Sequence, residues 1–251
     1  ERHITAITNI LPGANIICTD LEHAPNYISD VDILVTWGYM DIQPFFAEAK
    51  KLKWIHSLSA GVEKLVFPEL QESDVILTNA KGIHGIPVSE HVFALLLAFT
   101  RGLNLLFQQQ KAKIWKRVPT EELYERRIGI VGLGSIGREI AKKAKALNMN
   151  VLAVKKHLTT ELFVDELYTP DQLPEMLPKC DFVVLSLPLV EETRGLFDMK
   201  YFKIMKKSTY FINISRGGIV NEADLITALQ TGEIQGAGLD VFEDEPLPPT
   251  S

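Results

Sequence analysis

The sequence has few of the features that mark secreted, metal-binding or membrane-spanning proteins. Only Cys18 and Cys180 occur among its 251 residues. They form no CxxC pair, so neither a disulfide framework nor a metal site is expected. We expect two reduced, mostly buried thiols in a cytoplasmic protein. The longest apolar run, residues 92–99, is too short to span a membrane, and the N-terminal Glu-Arg-His shows no signal-peptide pattern.

The chain lacks an excess of positive charge. The 26 Lys and Arg residues are outnumbered by 32 Asp and Glu residues, which leaves a formal net charge of −6. A broad electrostatic attraction to nucleic acid or to an anionic membrane is therefore not expected, although a local basic pocket is possible. No internal repeat or low-complexity tract is present, and the length suits one large or two modest domains.

Short apolar runs alternate with amphipathic stretches in the second half of the chain. Runs that are apolar at nearly every position are typical of strands covered by helices on both faces. Alternation of strand and helix favours a parallel, doubly wound α/β sheet. The predicted strands are residues 128–131, 151–154, 182–185, 211–214 and 238–241.

Helix boundaries between these strands follow from local signals. Asn221 is placed to cap one helix, and Gly232 is placed to close it. Four apolar residues share the core-facing side of another helix. These residues are Ile136, Ile140, Ala144 and Leu147.

The first half of the chain is similar but less regular. Residues 88–106 predict one long apolar helix that crosses from one domain to the next. We therefore expect a smaller α/β domain at residues 1–100 and a nucleotide-binding domain at residues 101–251. Strands of the smaller domain are predicted at residues 33–35, 54–55 and 75–77.

A glycine-rich turn lies between the strand at 128–131 and the helix after it. Gly132, Gly134 and Gly137 form a GxGxxG pattern, which is weak alone but has here the strand and helix that a dinucleotide site requires. These glycines permit a tight turn, a close approach to a pyrophosphate and close packing of helix on strand. Ser135 and Ile136 are further expected cofactor contacts, at a helix N-terminus that attracts phosphate. A glycine turn without a ligand is the alternative.

The next predicted strand is followed by Lys155 and Lys156. In a site for NAD, an acidic residue near this position accepts hydrogen bonds from the adenosine ribose hydroxyls. Two ammonium groups favour instead the 2′-phosphate of NADP. We predict a preference for NADP, with NAD possible; two solvated lysines at a strand end are the alternative.

Further motifs follow one another along the chain. With the turn at 132–137 they make the sequence resemble the D-isomer-specific 2-hydroxyacid dehydrogenases, a family that includes glyoxylate/hydroxypyruvate reductases, D-lactate dehydrogenases and phosphoglycerate dehydrogenases. The basic strand end is most similar to the NADP-using glyoxylate/hydroxypyruvate reductases. The motifs are KWIHSLSAG at 53–61, NAKG at 79–82, VSEH at 88–91, LSLPLVEETRG at 185–195, NISRGG at 213–218 and GLDVFEDEP at 238–246.

The resemblance implies a Rossmann-type doubly wound parallel sheet plus a smaller flavodoxin-like α/β substrate domain. It implies hydride transfer between NAD(P)H and a small 2-oxo or 2-hydroxy acid, in a homodimer. Arg216 matches the arginine that binds the substrate carboxylate and polarises the 2-oxo group, a role that suits a planar, permanently charged guanidinium. Glu245 matches the glutamate that hydrogen-bonds the catalytic histidine and keeps it protonated.

The resemblance also implies contacts around cofactor and substrate. The loop of Ala60, Gly61 and Val62 matches the backbone N–H groups that bind the substrate carboxylate in a cleft between the domains. Asp240 matches a residue beside the nicotinamide. The other implied cofactor contacts are Leu187, Pro188, Thr193, Ile214, Ser215 and Arg216.

The sequence departs from the family pattern at its ends. The family's histidine follows the position of Glu245, whereas this sequence ends at Ser251, so we expect a chain clipped at both ends that binds dinucleotide better than it turns over substrate. None of the six histidines lies in the catalytic context, and a structural role is expected for His84. One alternative is a nucleotide-sensing binding protein like the C-terminal-binding corepressors, which a turnover assay with 2-oxo acids would distinguish. Another is an enzyme acting on formate or phosphite.

Overall fold

The computed structural model describes residues 2–251, with side chains from residue 4 onward. The described residues form two compact units that divide between Lys81 and Gly82. The division lies before the long apolar segment and not near residue 100, because that segment packs within the second unit.

The first unit is built on a small parallel sheet. Within residues 2–81, three strands pair in the order β1-β2-β3. Ile55 and Leu65 are fully buried in the core that joins this sheet to short helices. The strands are β1 (Ile33–Thr36), β2 (Trp54–Ser57) and β3 (Ile76–Asn79), and the helices are α1 (Arg2–Ile10), α2 (Gln43–Phe46) and α3 (Pro68–Gln71). Single 3₁₀ turns lie at Ala24–Asn26, Ile28–Asp30 and Glu63–Leu65.

The two cysteines have different environments. Cys180 is buried, and burial raises the pKa of its thiol to about 12. Cys18 is exposed, so the expectation of a buried thiol is wrong at this position. Residues 11–20 form an irregular segment that contributes no buried residue to the core, and nine of its ten residues, Cys18 among them, are exposed.

The apolar segment predicted as one helix is two helices. α4 (Gly85–Thr100) and α5 (Leu103–Lys111) meet at a bend of 66°. Gly102 adopts a left-handed conformation with φ of +63°, which ends an α-helix. Among the described residues, no single helix is long and apolar enough to cross a membrane, and only the bent pair of α4 and α5 has the required combined length and composition.

The second unit contains a larger parallel sheet. Within residues 82–251, six strands pair in the order β6-β5-β4-β7-β8-β9. Two strands, β5 and β6, therefore lie on one side of β4, and three strands, β7, β8 and β9, lie on the other, so the order reverses between β4 and β7. In doubly wound sheets the ligand binds at such a switch point, outside the carboxyl ends of the strands. The strands are β4 (Arg127–Val131), β5 (Asn150–Val154), β6 (Glu166–Tyr168), β7 (Phe182–Leu185), β8 (Tyr210–Asn213) and β9 (Gly236–Leu239).

Helices cover both faces of this sheet. All four residues of β7 are buried; Val183 and Leu185 belong to one hydrophobic cluster, and Phe182 and Val184 to the other. Successive residues of a strand point to opposite faces, so each cluster lies on its own side. The helices are α6 (Ser135–Ala146), α7 (Leu173–Met176), α8 (Met199–Ile204) and α9 (Glu222–Thr231). Single 3₁₀ turns lie at Pro170–Gln172, Leu177–Lys179, Glu191–Thr193 and Gly217–Ile219.

The predicted α/β, Rossmann-type fold class is confirmed, with β9 displaced by two residues from its prediction and β6 not predicted. Asn221 Oδ1 accepts a hydrogen bond from the Asp224 N–H at 3.1 Å, and Gly232 closes α9 with φ of +71°, so both boundaries of that helix are confirmed. On α6, Ile140 and Ala144 are buried, and Ile136 packs against the same cluster. Leu147 lies beyond the end of α6 and is exposed, so its assignment to the core face is wrong.

Candidate functional site

The glycine-rich turn lies at the switch point of the larger sheet. Gly132 has φ of +102°, and a Cβ atom on it would lie 2.5 Å from the carbonyl oxygen of Ser186, which follows β7. A Cβ on Gly137 would lie 2.3 Å from the carbonyl oxygen of Gly132. The Gly132 N–H donates to the carbonyl of Val154 at 3.1 Å. The turn is therefore fitted between the ends of β5 and β7, and only glycine suits these two positions.

Gly134 has the opposite environment. It is exposed, and a Cβ atom built on it would have nothing within 4 Å. The neighbouring Ser135 is also exposed and begins α6, whose first N–H groups have no intrahelical acceptor. Exposed backbone donors with open space before them fit a pyrophosphate. Ile136, by contrast, has its side chain against the core, so only its backbone is suited to the predicted contact.

The loop after β7 is tied to the turn and to β8. The Leu187 N–H donates to Ser215 Oγ at 3.0 Å. Thr193 Oγ1 donates to the Pro188 carbonyl at 2.7 Å and accepts from the Val190 N–H at 2.9 Å. A Cβ on Gly132 would lie 3.0 Å from Leu187 Cδ2, so Leu187 borders the glycine-rich turn. Pro188 follows it in the same loop, and Ser215 is bonded to the Leu187 backbone. The Thr193 hydroxyl shapes its own loop, which no sequence signal indicated.

Arg216 follows β8 on a backbone that Asn213 organises. Asn213 is 1% exposed; its Oδ1 accepts from the Ser215 N–H at 3.0 Å, and its Nδ2 donates to the Arg216 carbonyl at 3.1 Å. The half-buried Arg216 donates from Nη1 to the Ser215 carbonyl at 2.8 Å. Ile214, one of the implied cofactor contacts, is 8% exposed and belongs to the core. Asn213 was not among the predicted site residues, because its hydrogen bonds to the backbone of Ser215 and Arg216 become visible only in the folded chain.

The segments that carry Arg216 and Glu245 lie against each other. A Cβ atom on Gly217 would lie 1.9 Å from the carbonyl carbon of Phe242 and 2.3 Å from the backbone nitrogen of Glu243. Glu245 is exposed, and its Oε1 accepts a hydrogen bond from the Phe242 N–H at 2.9 Å. The two motifs therefore meet at one edge of the sheet.

Asp240 lies at the same edge, directly after β9. Its N–H donates to the Asn213 carbonyl at 3.0 Å. Its Oδ1 lies 3.5 Å from Nε2 of His91 on α4, and both side chains are about half exposed. The VSEH motif contained His91, but the sequence offered no reason to pair it with Asp240.

A compact ionic cluster lies at the end of β5. Lys155 Nζ donates to Glu161 Oε1 at 2.6 Å and to Thr159 Oγ1 at 2.7 Å. Arg138 donates two hydrogen bonds, of 2.9 and 2.8 Å, to the same carboxylate. Hydrogen bonds lower the pKa of Glu161 to about 2, with the larger effect from Arg138 and the next from Lys155. Lys156, the second predicted lysine, is exposed.

The predicted substrate loop belongs to the first unit. The Ala60 carbonyl accepts a hydrogen bond from Asn79 Nδ2 at 2.6 Å. The Gly61 carbonyl oxygen approaches Gly38 so closely that a Cβ there would lie 1.8 Å away. Val62 packs against the core of this unit. The loop is fixed in place, and its contact with a substrate carboxylate stays a prediction. Within residues 2–251, no group of three His, Cys, Asp or Glu side chains is placed to hold a metal.

Comparison with known proteins decides the family. The model of the D-isomer specific 2-hydroxyacid dehydrogenase NAD binding domain matches residues 93–251. This chain belongs to that family. The match covers the turn at 132–137, the ionic cluster and the motifs around Arg216 and Glu245, and it confirms the resemblance identified from the sequence.

Individual relatives agree with this family assignment. It is 36% identical over 233 residues to a glyoxylate reductase of Pyrococcus furiosus, covering 87% of this chain and 68% of the relative. The chain spans 36% to 77% of the length of eight curated relatives that it matches. It spans less than half the length of each of the three D-3-phosphoglycerate dehydrogenases among these eight.

Solved structures of the family have the same fold. A D-isomer specific 2-hydroxyacid dehydrogenase family protein from Aeromonas salmonicida aligns with a TM-score of 0.90 at 37% identity, over 100% of this chain and 80% of that chain. An NADPH-dependent glyoxylate/hydroxypyruvate reductase from Sinorhizobium meliloti, in complex with NADP and sulfate, aligns with a TM-score of 0.83 at 31% identity, over 99% and 79%.

The contact at Gly217 predicts a large stability difference between two adjacent glycines. Gly217→Ala is expected to lower the free energy of unfolding by about 3 kcal/mol, because its methyl group would overlap the Phe242 backbone. Gly218→Ala is the matched control, since the nearest atom to its Cβ would be 3.5 Å away; a change below about 1 kcal/mol is expected. Urea unfolding followed by circular dichroism measures both, and equal effects would show that the two segments are not in contact.

Proposed function

We propose that this dehydrogenase transfers hydride between a nicotinamide dinucleotide and a small 2-oxo acid of the glyoxylate and hydroxypyruvate class. The observation that carries the proposal is the open, exposed backbone at Gly134, which lies at the switch point of the sheet whose edge also holds Arg216. The relatives named as glyoxylate reductases and as an NADPH-dependent glyoxylate/hydroxypyruvate reductase support the substrate class. No comparable observation favours a corepressor.

The cofactor site follows from the chain's own residues. The bound dinucleotide supplies the hydride that reduces the 2-oxo carbon. Gly134 and Ser135 would hold its pyrophosphate with backbone N–H groups at the start of α6, since this is the exposed part of the turn. Leu187 and Pro188 would border the site, because the Leu187 backbone is held beside the turn. NADP is the proposed preference and NAD is also accepted.

Arg216 is proposed to act on the substrate. Its guanidinium is oriented by the hydrogen bond to the Ser215 carbonyl, and its charge is suited to hold a carboxylate and to stabilise negative charge developing on the carbonyl oxygen. Reduction also adds a proton at that oxygen. Glu245 is held by the Phe242 N–H. We propose that it orients the imidazole of a histidine and keeps it protonated, so that this imidazole delivers the proton.

We further propose a cytoplasmic homodimer. None of the residues of α5 is buried, and that helix and the segment after it expose a series of large apolar side chains. Monomers rarely expose contiguous apolar surface of this kind, which suggests that a second copy covers it. The exposed residues are Leu103, Leu105, Leu106, Phe107, Ile114 and Trp115, the last of them completely exposed.

The double substitution Phe107→Ser and Trp115→Ser tests the dimer. Light scattering at micromolar concentration is expected to give twice the chain mass for the wild type and a single chain mass for the variant, because two large apolar anchors are lost. Tyr39→Ser, which removes another exposed aromatic ring, should leave the mass unchanged. A wild-type protein of single chain mass would refute the dimer.

Gly134→Ala separates binding from folding. The Gly134 backbone, with φ of −82° and ψ of −157°, suits alanine, and its methyl group would meet no protein atom. The free energy of unfolding should therefore stay within about 1 kcal/mol of the wild type. The Kd for NADPH, measured by nicotinamide fluorescence, should rise at least about tenfold, because the methyl group occupies the approach of the pyrophosphate. Gly13→Ala, which also has open space, should change neither quantity, and unaltered NADPH binding in Gly134→Ala would remove the basis of the proposal.

Arg216→Lys tests the substrate role. We expect kcat/KM for glyoxylate with NADPH to fall about 100-fold or more, because lysine lacks the planar fork that binds a carboxylate and stabilises the oxyanion. The Kd for NADPH should stay within about threefold. Arg194→Lys alters an exposed arginine on the neighbouring loop and should retain wild-type turnover. The rates are measured on the full-length protein by the absorbance of NADPH at 340 nm. Full activity of Arg216→Lys would refute the assignment.

A further inference from the structure

The ionic cluster at the end of β5 includes a carboxylate, that of Glu161, which occupies its two cations. Arg138 and Lys155 donate three hydrogen bonds to the Glu161 carboxylate, and Thr159 adds a fourth at 3.1 Å. The Glu161 side chain is only 9% exposed, whereas that of Arg138 is 50% exposed. The cluster therefore carries one net positive charge with Glu161 in place, and two without it.

Both cations belong to the elements that build the dinucleotide turn. Arg138 directly follows Gly137 in the first turn of α6. Lys155 directly follows Val154, whose carbonyl accepts the Gly132 N–H. In Rossmann folds, the adenosine ribose and its 2′ substituent are recognised at the end of the second strand of the sheet, which corresponds here to β5. The ionic cluster thus lies where a 2′-phosphate is recognised.

Glu161 reaches this place on a segment without regular structure. Residues 156–164 join β5 to β6 and contain neither helix nor strand, and residues 156–160 are exposed. Phe163 and Val164, shortly after Glu161, pack against the core, whereas the residues before it are exposed, so the carboxylate is held mainly by its side-chain partners. A change in the Glu161 side-chain conformation can therefore withdraw the carboxylate from the two cations while the packing of Phe163 and Val164 is kept.

We propose that Glu161 is an internal competitor for the 2′-phosphate of NADP. In this proposal, which rests on the proposed function, the phosphate displaces the Glu161 carboxylate and takes over its hydrogen bonds with Arg138 and Lys155. Binding of NAD, which lacks the 2′-phosphate, leaves the cluster intact. Glu161 thereby reduces the preference for NADP that two cations would otherwise produce, and it is a specificity-determining residue that keeps NAD as an alternative cofactor.

The test compares two nucleotides that differ only in the 2′-phosphate. Adenosine 2′,5′-bisphosphate and adenosine 5′-monophosphate are titrated by calorimetry into wild type and Glu161→Gln. The glutamine should lower the Kd for the bisphosphate about tenfold, because both cations are released from a carboxylate, and should leave the Kd for the monophosphate within about twofold. Glu175→Gln removes an exposed acidic residue from the same unit and should alter neither Kd. Adding Lys155→Met to Glu161→Gln should abolish most of the gain.

Two outcomes would overturn the proposal. Weaker binding of the monophosphate by Glu161→Gln would show that the carboxylate accepts hydrogen bonds from the ribose hydroxyls, and unchanged binding of both nucleotides would show no competition. If Glu161→Gln does not fold, as judged by circular dichroism, Glu161→Asp retracts the carboxylate and should produce a smaller gain for the bisphosphate alone. A wild-type protein that binds neither nucleotide nor NADPH would refute the proposed function, whereas normal NADPH binding with either adverse outcome refutes only the competition.

Discussion

The close approach of the Gly132 backbone to the Ser186 carbonyl determines how the second unit presents its site. A side chain at position 132 would separate the ends of β4 and β7, which are the two strands between which the order of the sheet reverses. Because the turn fits there, α6 begins directly above the carboxyl ends of the strands, with Gly134 and Ser135 exposed. The loop after β7 is then held to β8 through Leu187 and Ser215, and β8 leads directly into Arg216. One backbone contact thus relates the glycine-rich turn to the position of Arg216.

Most of the second unit was predictable because its physical signals are local. Strands such as β7 are buried on both faces, so every residue is apolar, and the glycines at 132–137 are required by the turn itself. The cap at Asn221 is likewise contained in a few neighbouring residues. The short strand β6 was missed because three residues with an acidic first position show no apolar run. The break between α4 and α5 was missed because apolar residues continue on both sides of Gly102, so the apolar pattern alone shows no interruption.

Several interactions that sequence reasoning did not find join residues far apart in the chain. Glu161 is 23 positions from Arg138, and His91 is much farther from Asp240, so only the folded sheet brings each pair together. Lys155 was recognised as a cation, yet its ion pair with Glu161 lay outside any motif. Ala60, Gly61 and Val62 lie in a loop held by its own contacts, and their contact with a substrate carboxylate stays a prediction because it depends on a ligand. Local patterns therefore identify where a site lies, and tertiary contacts determine its charge.

The unequal environments of the two cysteines have a practical consequence. A thiol reacts with maleimide dyes as its thiolate, and burial keeps Cys180 both protonated at neutral pH and out of contact with the reagent. Cys18 is exposed, so a fluorophore added to the unmodified protein attaches at this one position of the first unit. Single-site spectroscopic labelling is therefore possible without cysteine mutagenesis.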